Sequence, residues 1–316
     1  MRSKDKTIIP LLSFPMRWAR IGERHAVQAS YKLFALLLLF SVLVCGCGLV
    51  PSLTSETVVF AVIGDYGSGS QFEGDVADLV KGWRPDFIIT TGDNNYPSGS
   101  EETIDAHIGQ FYHAFIYPYE GEYGKGADQN RFFPTLGNHD WKTADLKPYL
   151  DYFALPGNER YYDFTWGPVH FFALDSDPRE PDGVKIDSYQ ANWLRERMAA
   201  SSEPWKIVFT HFPPQASAIR GSADWMRWPF DEWGATAVLS GHEHVYERLV
   251  RKGVVYFVNG LGGDTIYEFD TKFRGGSIVR YNEDYGAMRV EATSHKIKFQ
   301  FFTRGRKLID TYEIER

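Results

Sequence analysis

The chain has 316 residues, 43% of them hydrophobic and 24% charged, with a formal net charge of -7. This is ordinary globular composition with enough apolar material for one large core, which excludes a low-complexity chain. The acidic balance, with no basic tract after the first segment, argues against a nucleic-acid groove, although a metal centre can still draw anions locally.

Residues 1–50 stand apart from the rest. Arg2, Lys4, Lys6, Arg17, Arg20, Arg24 and Lys32 precede an uncharged run from Leu33 to Val44. A basic flank followed by roughly 12 to 15 apolar residues reads as an export signal. The run is short of the about 20 residues of a spanning helix. If residues 46–53 extend it, it becomes an uncleaved anchor with the bulk of the chain outside the cytoplasm. Val44-Cys45-Gly46-Cys47 resembles a bacterial lipobox, which implies cleavage after Gly46, a lipid on Cys47 and a domain tethered to the membrane of the cell envelope. Plain secretion is the third outcome. The stretch before Lys32 is long for a signal, which makes Met16 a candidate start. No cysteine follows Cys47, so the rest of the chain relies on its core and not on disulfides.

Residues 51–57 read as a linker and 58–316 as one domain. Val58 to Ile63 is a continuous apolar run that predicts a buried strand. Glu73 to Trp83 predicts a helix with Val76, Leu79 and Val80 on one face, and Asp86 to Thr91 the next strand. Strand, turn, helix, strand is the signature of a parallel unit, whose ligand sites lie at strand carboxyl ends. A helix over Thr103–Phe115, a Gly- and Tyr-rich loop over 117–130 and a short strand at Phe132–Leu136 follow. A helix interrupted by Pro148 is expected over Lys142–Phe153. Tyr161–Thr165 and Val169–Leu174 predict a hairpin about Gly167-Pro168. Tyr189–Ala200 predicts an amphipathic helix, and Lys206–Thr210 and Thr236–Leu239 two more buried strands. Five further strands, Val254–Val258, Ser277–Tyr281, Ala287–Ala292, Lys296–Phe302 and Lys307–Ile314, have no helix between them. They predict a second sheet packed on the first.

Five short blocks follow apolar runs and hold seven side chains able to ligate metal. They are Gly64-Asp65-Tyr66-Gly67, Gly92-Asp93-Asn94-Asn95-Tyr96, Gly137-Asn138-His139-Asp140, Val208-Phe209-Thr210-His211 and Gly241-His242-Glu243-His244. Singly, Asp65 and Asp93 fit helix caps or turns, and His211 fits a satisfied polar residue. His242 and His244, two apart on an extended segment, would share a face and bind one metal or bridge two. Jointly, oxygen and nitrogen donors on one rim can hold two metal ions, a clamp suited to displacement at phosphorus.

With its order and spacing, this pattern resembles the purple acid phosphatases within the calcineurin-like metallophosphoesterase superfamily. Tyr96, three residues after Asp93, and the run from Ala237 to Arg248 carry the closer likeness. The resemblance implies a four-layer α/β sandwich of two mixed sheets flanked by helices. It implies that Asp65, Tyr96 and His244 hold one ion, Asn138, His211 and His242 a second, and that Asp93 bridges them. A phenolate suits Fe(III) at the first site, and the second suits Zn, Mn or Fe(II). A metal-held hydroxide would attack phosphorus in line, with His139 beside the substrate and Asp140 orienting it. Family members often carry another histidine on the loop after His211, where this chain has Arg220. Arginine is a poor acid, so Arg220 reads as a phosphate clamp or a loop cap.

The expected activity is release of phosphate from small organic phosphomonoesters. Two rivals stand beside it, a phosphodiesterase on the same metals and a non-catalytic surface lipoprotein that keeps the fold. The glycines of Asn259-Gly-Leu-Gly-Gly263 read as a tight turn beside the site, the aromatic run Asp224–Phe230 as core, and Tyr246, Glu247 and Arg248 as buttresses of the ligands.

Overall fold

The computed structural model describes residues 57–271 and 276–316. The export, anchor and lipid expectations for residues 1–50, with nearly all of the linker, lie outside the described residues. Among the described residues, no helix is long and apolar enough to cross a membrane.

In chain order the elements begin with β1 (Val58–Ile63), α1 (Gln71–Gly82) and β2 (Phe87–Thr90). Then come α2 over residues 101–115, β3 (Phe132–Pro134), α3 (Lys147–Tyr152), β4 (Tyr162–Trp166) and β5 (Val169–Ala173). α4 (Tyr189–Ala200), β6 (Trp205–Phe209), β7 (Ala237–Ser240), β8 (Tyr246–Arg251) and β9 (Val254–Asn259) follow. The chain closes with β10 (Ser277–Tyr281), β11 (Gly286–Ala292), β12 (Lys296–Thr303) and β13 (Leu308–Glu315).

One sheet has the order β13-β12-β11-β1-β2-β3 and the other β10-β8-β9-β7-β6-β5-β4. Both are mixed. β1, β2 and β3 run parallel, as do β5, β6, β7 and β9, while β11–β13, β4, β8 and β10 pair antiparallel.

Strand alternation sorts the apolar side chains into layers. β1 sends Phe60 and Val62 into the core between the sheets, and Ala61 and Ile63 to the side of α1 and α2. β6 sends Ile207 and Phe209 inward and Val208 outward against Leu194 and Met198 of α4. The product is the expected four-layer α/β sandwich, helices on both outer faces of two packed sheets.

Four local expectations change. The last five predicted strands do not form a sheet of their own. β9 and β10 extend one sheet, while β11–β13 join the other by pairing β11 with β1. β8 lies over residues read as ligand buttresses, because its charges are neutralised by distant partners. Arg248 Nε and Nη2 donate to Asp310 at 2.7 and 3.1 Å, and Tyr246 Oη donates to it at 2.8 Å, which joins β8 to β13 across the core. Pro148 does not interrupt a helix but stands in the first turn of α3, where no N–H is needed. α2 contains a π turn at Asp105–Gly109 between α-helical and 3-10 segments.

Candidate metal centre

β1, β2, β3, β6 and β7 each end shortly before a candidate ligand: Asp65, Asp93, Asn138, His211 and His242 respectively. All five arrive at the carboxyl edge of the parallel strands, the expected place for a site in such sheets. The turns there are sharp. Asp65, Asp93 and His242 take φ values of 53°, 52° and 68°, in the left-handed region. Such positions cost roughly 1–3 kcal/mol each and gather at functional sites. His242 and His244 are therefore not neighbours on an extended strand. The positive φ at His242, with Glu243 N donating to Gly241 O and Val245 N to Glu243 O, turns the chain so that the two rings reach different neighbours.

Around Tyr96, its Oη lies 3.3 Å from Asp65 Oδ1, 3.1 Å from Asp93 Oδ2 and 3.1 Å from His244 Nε2. His244 Nε2 is 3.2 Å from Asp65 Oδ1. Around Asn138, its Oδ1 lies 3.0 Å from His211 Nε2 and 3.0 Å from His242 Nδ1, and those two nitrogens are 3.3 Å apart. Asp93 Oδ2 touches both groups, being 3.4 Å from His211 Nε2 as well. Its other oxygen accepts from His139 N at 2.7 Å. Asp65 is likewise split, with Oδ2 accepting from His242 N at 2.9 Å. Each carboxylate is thus held by backbone at one oxygen and turned into the pocket at the other. All seven candidate ligands meet at one place.

The donor chemistry fits cations. His211 Nδ1 donates to Thr91 O at 2.8 Å, and His244 Nδ1 donates to Thr265 O. Both rings then present a bare Nε2 lone pair to the pocket, the usual preparation of a ligating histidine. At Asn138, one amide oxygen and two imidazole nitrogens converge with one proton at most to share. Asp65, Asp93 and His244 each offer a ligating atom within 4.8 Å of the others.

The fields agree. Burial pushes the Asp65 carboxyl up, but the charge and hydrogen bond of His244, with His211 and His242, outweigh it and hold it below its ordinary value. Burial and the charges of Asp93 and Asp65 push the Tyr96 phenol well up. Burial, then His211, pushes His242 down to about 2. Burial pulls His244 down, yet Asp65 leaves it raised overall.

The periphery differs from the sequence expectation. Asp140 does not touch the His139 ring. Its carboxylate accepts from Gly137 N at 2.8 Å, Asn94 N at 3.1 Å and Asn94 Nδ2 at 2.9 Å, bracing the turn that carries Asn138. Burial and the charge of Asp93 push this carboxyl up to about 7 against those donors. The His139 ring packs 4.4 Å from Tyr96 and sets Nδ1 2.7 Å from the Pro97 carbonyl. Arg220 is exposed at the rim, its guanidinium 4.6 Å over the Tyr267 ring and donating to Tyr267 Oη at 2.7 Å. Tyr267 in turn stacks on His244 at 4.0 Å and 6°. Glu247 holds the Arg220 loop by accepting from Ser217 N at 2.7 Å.

Tyr267, Lys142 and Arg179 escaped the sequence reading. Arg179 donates to the Trp141 and Asn138 carbonyls and is chelated by Asp177. None of the three lies in a ligand block in a position that a local pattern marks. As expected, residues 259–263 turn beside the site, with Gly262 N donating to Gly64 O at 2.9 Å. Met226, Trp228 and Phe230 are buried in the core, while Trp225 is exposed against Phe212.

Residues 58–246 match the family model described as calcineurin-like phosphoesterase. The chain belongs to that family. Among its phosphoesterase relatives is purple acid phosphatase 7 of Arabidopsis thaliana, 23% identical over 290 residues, which cover 80% of this chain and 84% of the relative. The structure of purple acid phosphatase PPD1 from yellow lupin (Lupinus luteus) seeds superposes with a TM-score of 0.66 at 17% identity. It covers 83% of this chain and 54% of the lupin chain. GAP50, an anchor in the inner membrane complex of Plasmodium, also reaches 0.66 at 17% identity, covering 82% and 89%. These two likenesses concern the fold. In sequence the chain is similar to purple acid phosphatases and to tartrate-resistant acid phosphatase type 5 of Homo sapiens, the latter 24% identical over 255 residues, which cover 68% of this chain and 76% of the relative.

Proposed function

We propose that the protein releases phosphate from small organic phosphomonoesters at a two-metal centre. The observation that carries this reading is Asp93 Oδ2, which reaches the Tyr96 hydroxyl on one side and His211 Nε2 on the other. Asp65, Tyr96 and His244 would hold one ion, matched to Fe(III), and Asn138, His211 and His242 the other, matched to Zn, Mn or Fe(II). Bound there, two cations would supply Lewis-acid charge to the phosphoryl oxygens and activate water for in-line attack.

The remaining work falls to side chains around them. The His139 ring donates from Nδ1 to Pro97, so a proton given to the leaving oxygen comes from its imidazolium form. Burial, with Lys142 and His211 nearby, pushes that ring's pKa down against the pull of Asp93. Arg220, unable to give up its proton, serves to hold a phosphoryl oxygen from the rim. Asp140 positions the Asn138 turn.

Tyr96 favours monoesters over the diesterase rival. The metal-loaded full chain should turn over a monoester far faster than the matching diester. Preference for the diester would overturn the substrate class, and absence of both activities and of bound metal would support the non-catalytic rival. Export and a membrane tether through Cys47 complete the reading. They predict an intact mass beginning at a lipidated Cys47, and loss of membrane retention in Cys47→Ala.

A further inference from the structure

One cation at the rim is given no contact with substrate in the reading above, where it acts only through its charge beside His139. Lys142 is exposed in the turn that follows the Asn138-His139-Asp140 block. Its Nζ lies 3.0 Å from the Pro97 carbonyl, 2.9 Å from His139 Nδ1 and 3.3 Å from His139 Nε2. The same carbonyl already takes the His139 Nδ1 hydrogen bond at 2.7 Å. An ammonium has three hydrogens and no lone pair, so against Nδ1–H it faces another donor, the Nε2 lone pair lies farther off at 3.3 Å, and it shares its one close acceptor. Among the described residues, no carboxylate pairs with Lys142. Of the described lysines, Lys185, Lys206 and Lys307, which lie away from the donor set, also lack one, while Lys81, Lys125, Lys147, Lys252, Lys296 and Lys298 each have one. Neighbouring Arg179 is different in kind, its donors taken by Asp177 and two carbonyls. The His139 ring that carries Lys142 lies directly on Tyr96 of the donor set. Lys142 is therefore an under-satisfied positive charge one ring away from the metal-holding atoms.

We infer that Lys142 recognises a second negative charge on the leaving group. The substrates that fit this rim are phosphomonoesters whose alcohol bears a carboxylate or a further phosphate a few atoms from the ester oxygen. This inference rests on the phosphomonoesterase reading. The bond changes are those of hydrolysis. Water's oxygen joins phosphorus, the P–O bond to the alcohol breaks with its electron pair left on the alcohol oxygen, and that oxygen takes up a proton. Lys142 transfers nothing and stays charged. It is a specificity residue, and its effect belongs in KM.

Ethyl phosphate and phosphoglycolate differ only by a carboxylate in place of a methyl group. An exposed ion pair of this kind gives a preference of about fivefold. In the full-length, metal-loaded protein, kcat/KM for phosphoglycolate over ethyl phosphate should fall by about fivefold in Lys142→Met, through KM, and be retained in Lys142→Arg. Any effect of Lys142→Met through the His139 ring falls on both esters alike, so the ratio and not the ethyl phosphate rate is the readout. The non-reacting pair 3-phosphonopropionate and propylphosphonate, measured by calorimetry, should show the same preference in wild type and lose it in Lys142→Met. An unchanged ratio in Lys142→Met, or an equal loss for both members of a pair, overturns the inference. If wild type hydrolyses neither phosphate ester, the phosphomonoesterase reading fails, and the phosphonate ratio still decides the role of Lys142.

Discussion

Adding one methyl group at Gly137 should disable the site without unfolding the protein. An ideal Cβ on Gly137 falls 2.2 Å from Asp93 N and 2.2 Å from Asp93 Oδ1. Real Cβ contacts stay beyond 3.0 Å, so something must move by about 0.8 Å. The obstacle is backbone as well as carboxylate, and Asp93 already sits at a φ of 52° with little freedom to yield. Its Oδ1 is also tied to His139 N at 2.7 Å. The shift is therefore passed to Oδ2, whose contacts with Tyr96 Oη and His211 Nε2 span the two donor groups. A misplacement near 1 Å at a reacting centre costs about 100-fold, and overpacking of this kind destabilises by about 1–3 kcal/mol. Gly137→Ala should thus lose about 100-fold in kcat/KM for a monoester and bind less metal. It should stay folded, with Tm lower by roughly 5 °C. Gly82→Ala is the control, because at the end of α1 its added carbon meets nothing within 4 Å beyond its chain neighbours and its own helix backbone. Metal content at the wild-type level and activity within about threefold in Gly137→Ala would refute the packing argument.

Asp93→Asn keeps the shape of the side chain and removes its charge, so elemental analysis should find metal lost from both positions. Two ions retained per chain would remove Asp93 as the bridge. Tyr96→Phe should abolish a visible absorption band of the iron-loaded protein while circular dichroism stays unchanged, and a persistent band would place the chromophore elsewhere. Arg248→Met leaves Asp310 buried with the Tyr246 hydroxyl but without its charged partner and should cost about 3 kcal/mol in a denaturant titration. A loss below about 1 kcal/mol would mean that the two sheets do not depend on this pair. Asp163 accepts from His170 and Arg197, and these outweigh burial to hold its carboxyl below the ordinary value. Its contribution is therefore complete above the unfolded value of about 3.9 and is lost as pH falls through the lower folded value. Asp163→Asn should flatten the acid limb of stability there, and an unchanged acid limb would count against the assignment.

The legible parts of the fold were those whose signal is local. β1, β6 and β7 are apolar runs bounded by turn residues, and they appear where the pattern places them. β8 was hidden because it buries Glu247 and Arg248, and a strand with two buried charges is acceptable only when remote residues neutralise them. Those are Arg280, 3.9 Å from Glu247, and Asp310, some sixty positions from Arg248. The division of the last strands between two sheets was unreadable for a related reason. β11 and β12 look alike in periodicity, and only the pairing of Val58–Val62 with Met288–Ala292 decides which sheet they join. Tyr267 acts by stacking on His244, and Lys142 by meeting the His139 nitrogens and the Pro97 carbonyl together. Their own surroundings in sequence hold no trace of that.

The ligand blocks show where sequence reasoning stops for a physical reason. Glycine before the first ligand of four of the five blocks reads as the residue that supplies the turn. At two of the blocks the roles are exchanged. Gly241 is not in the left-handed region, and what it supplies is space, since a Cβ there would come 2.5 Å from Asp65 Oδ2. The left-handed conformation falls on His242 and, in the first block, on Asp65, the side chains that enter the pocket. Aspartate and histidine tolerate that region better than most residues, but still less well than glycine. Glycine at either position would relieve the backbone and forfeit the donor. A chain selected for stability alone would put glycine where φ is positive and a side chain where it is not. This one does the reverse at the donor positions and offsets the strain with hydrogen bonds such as His242 N to Asp65 Oδ2. Local preference is broken at Asp65, Asp93 and His242, but also at Arg84, Asp145, Leu146, Glu159, Lys252 and Arg306, so the violations point to the site only where a ligand side chain stands at them.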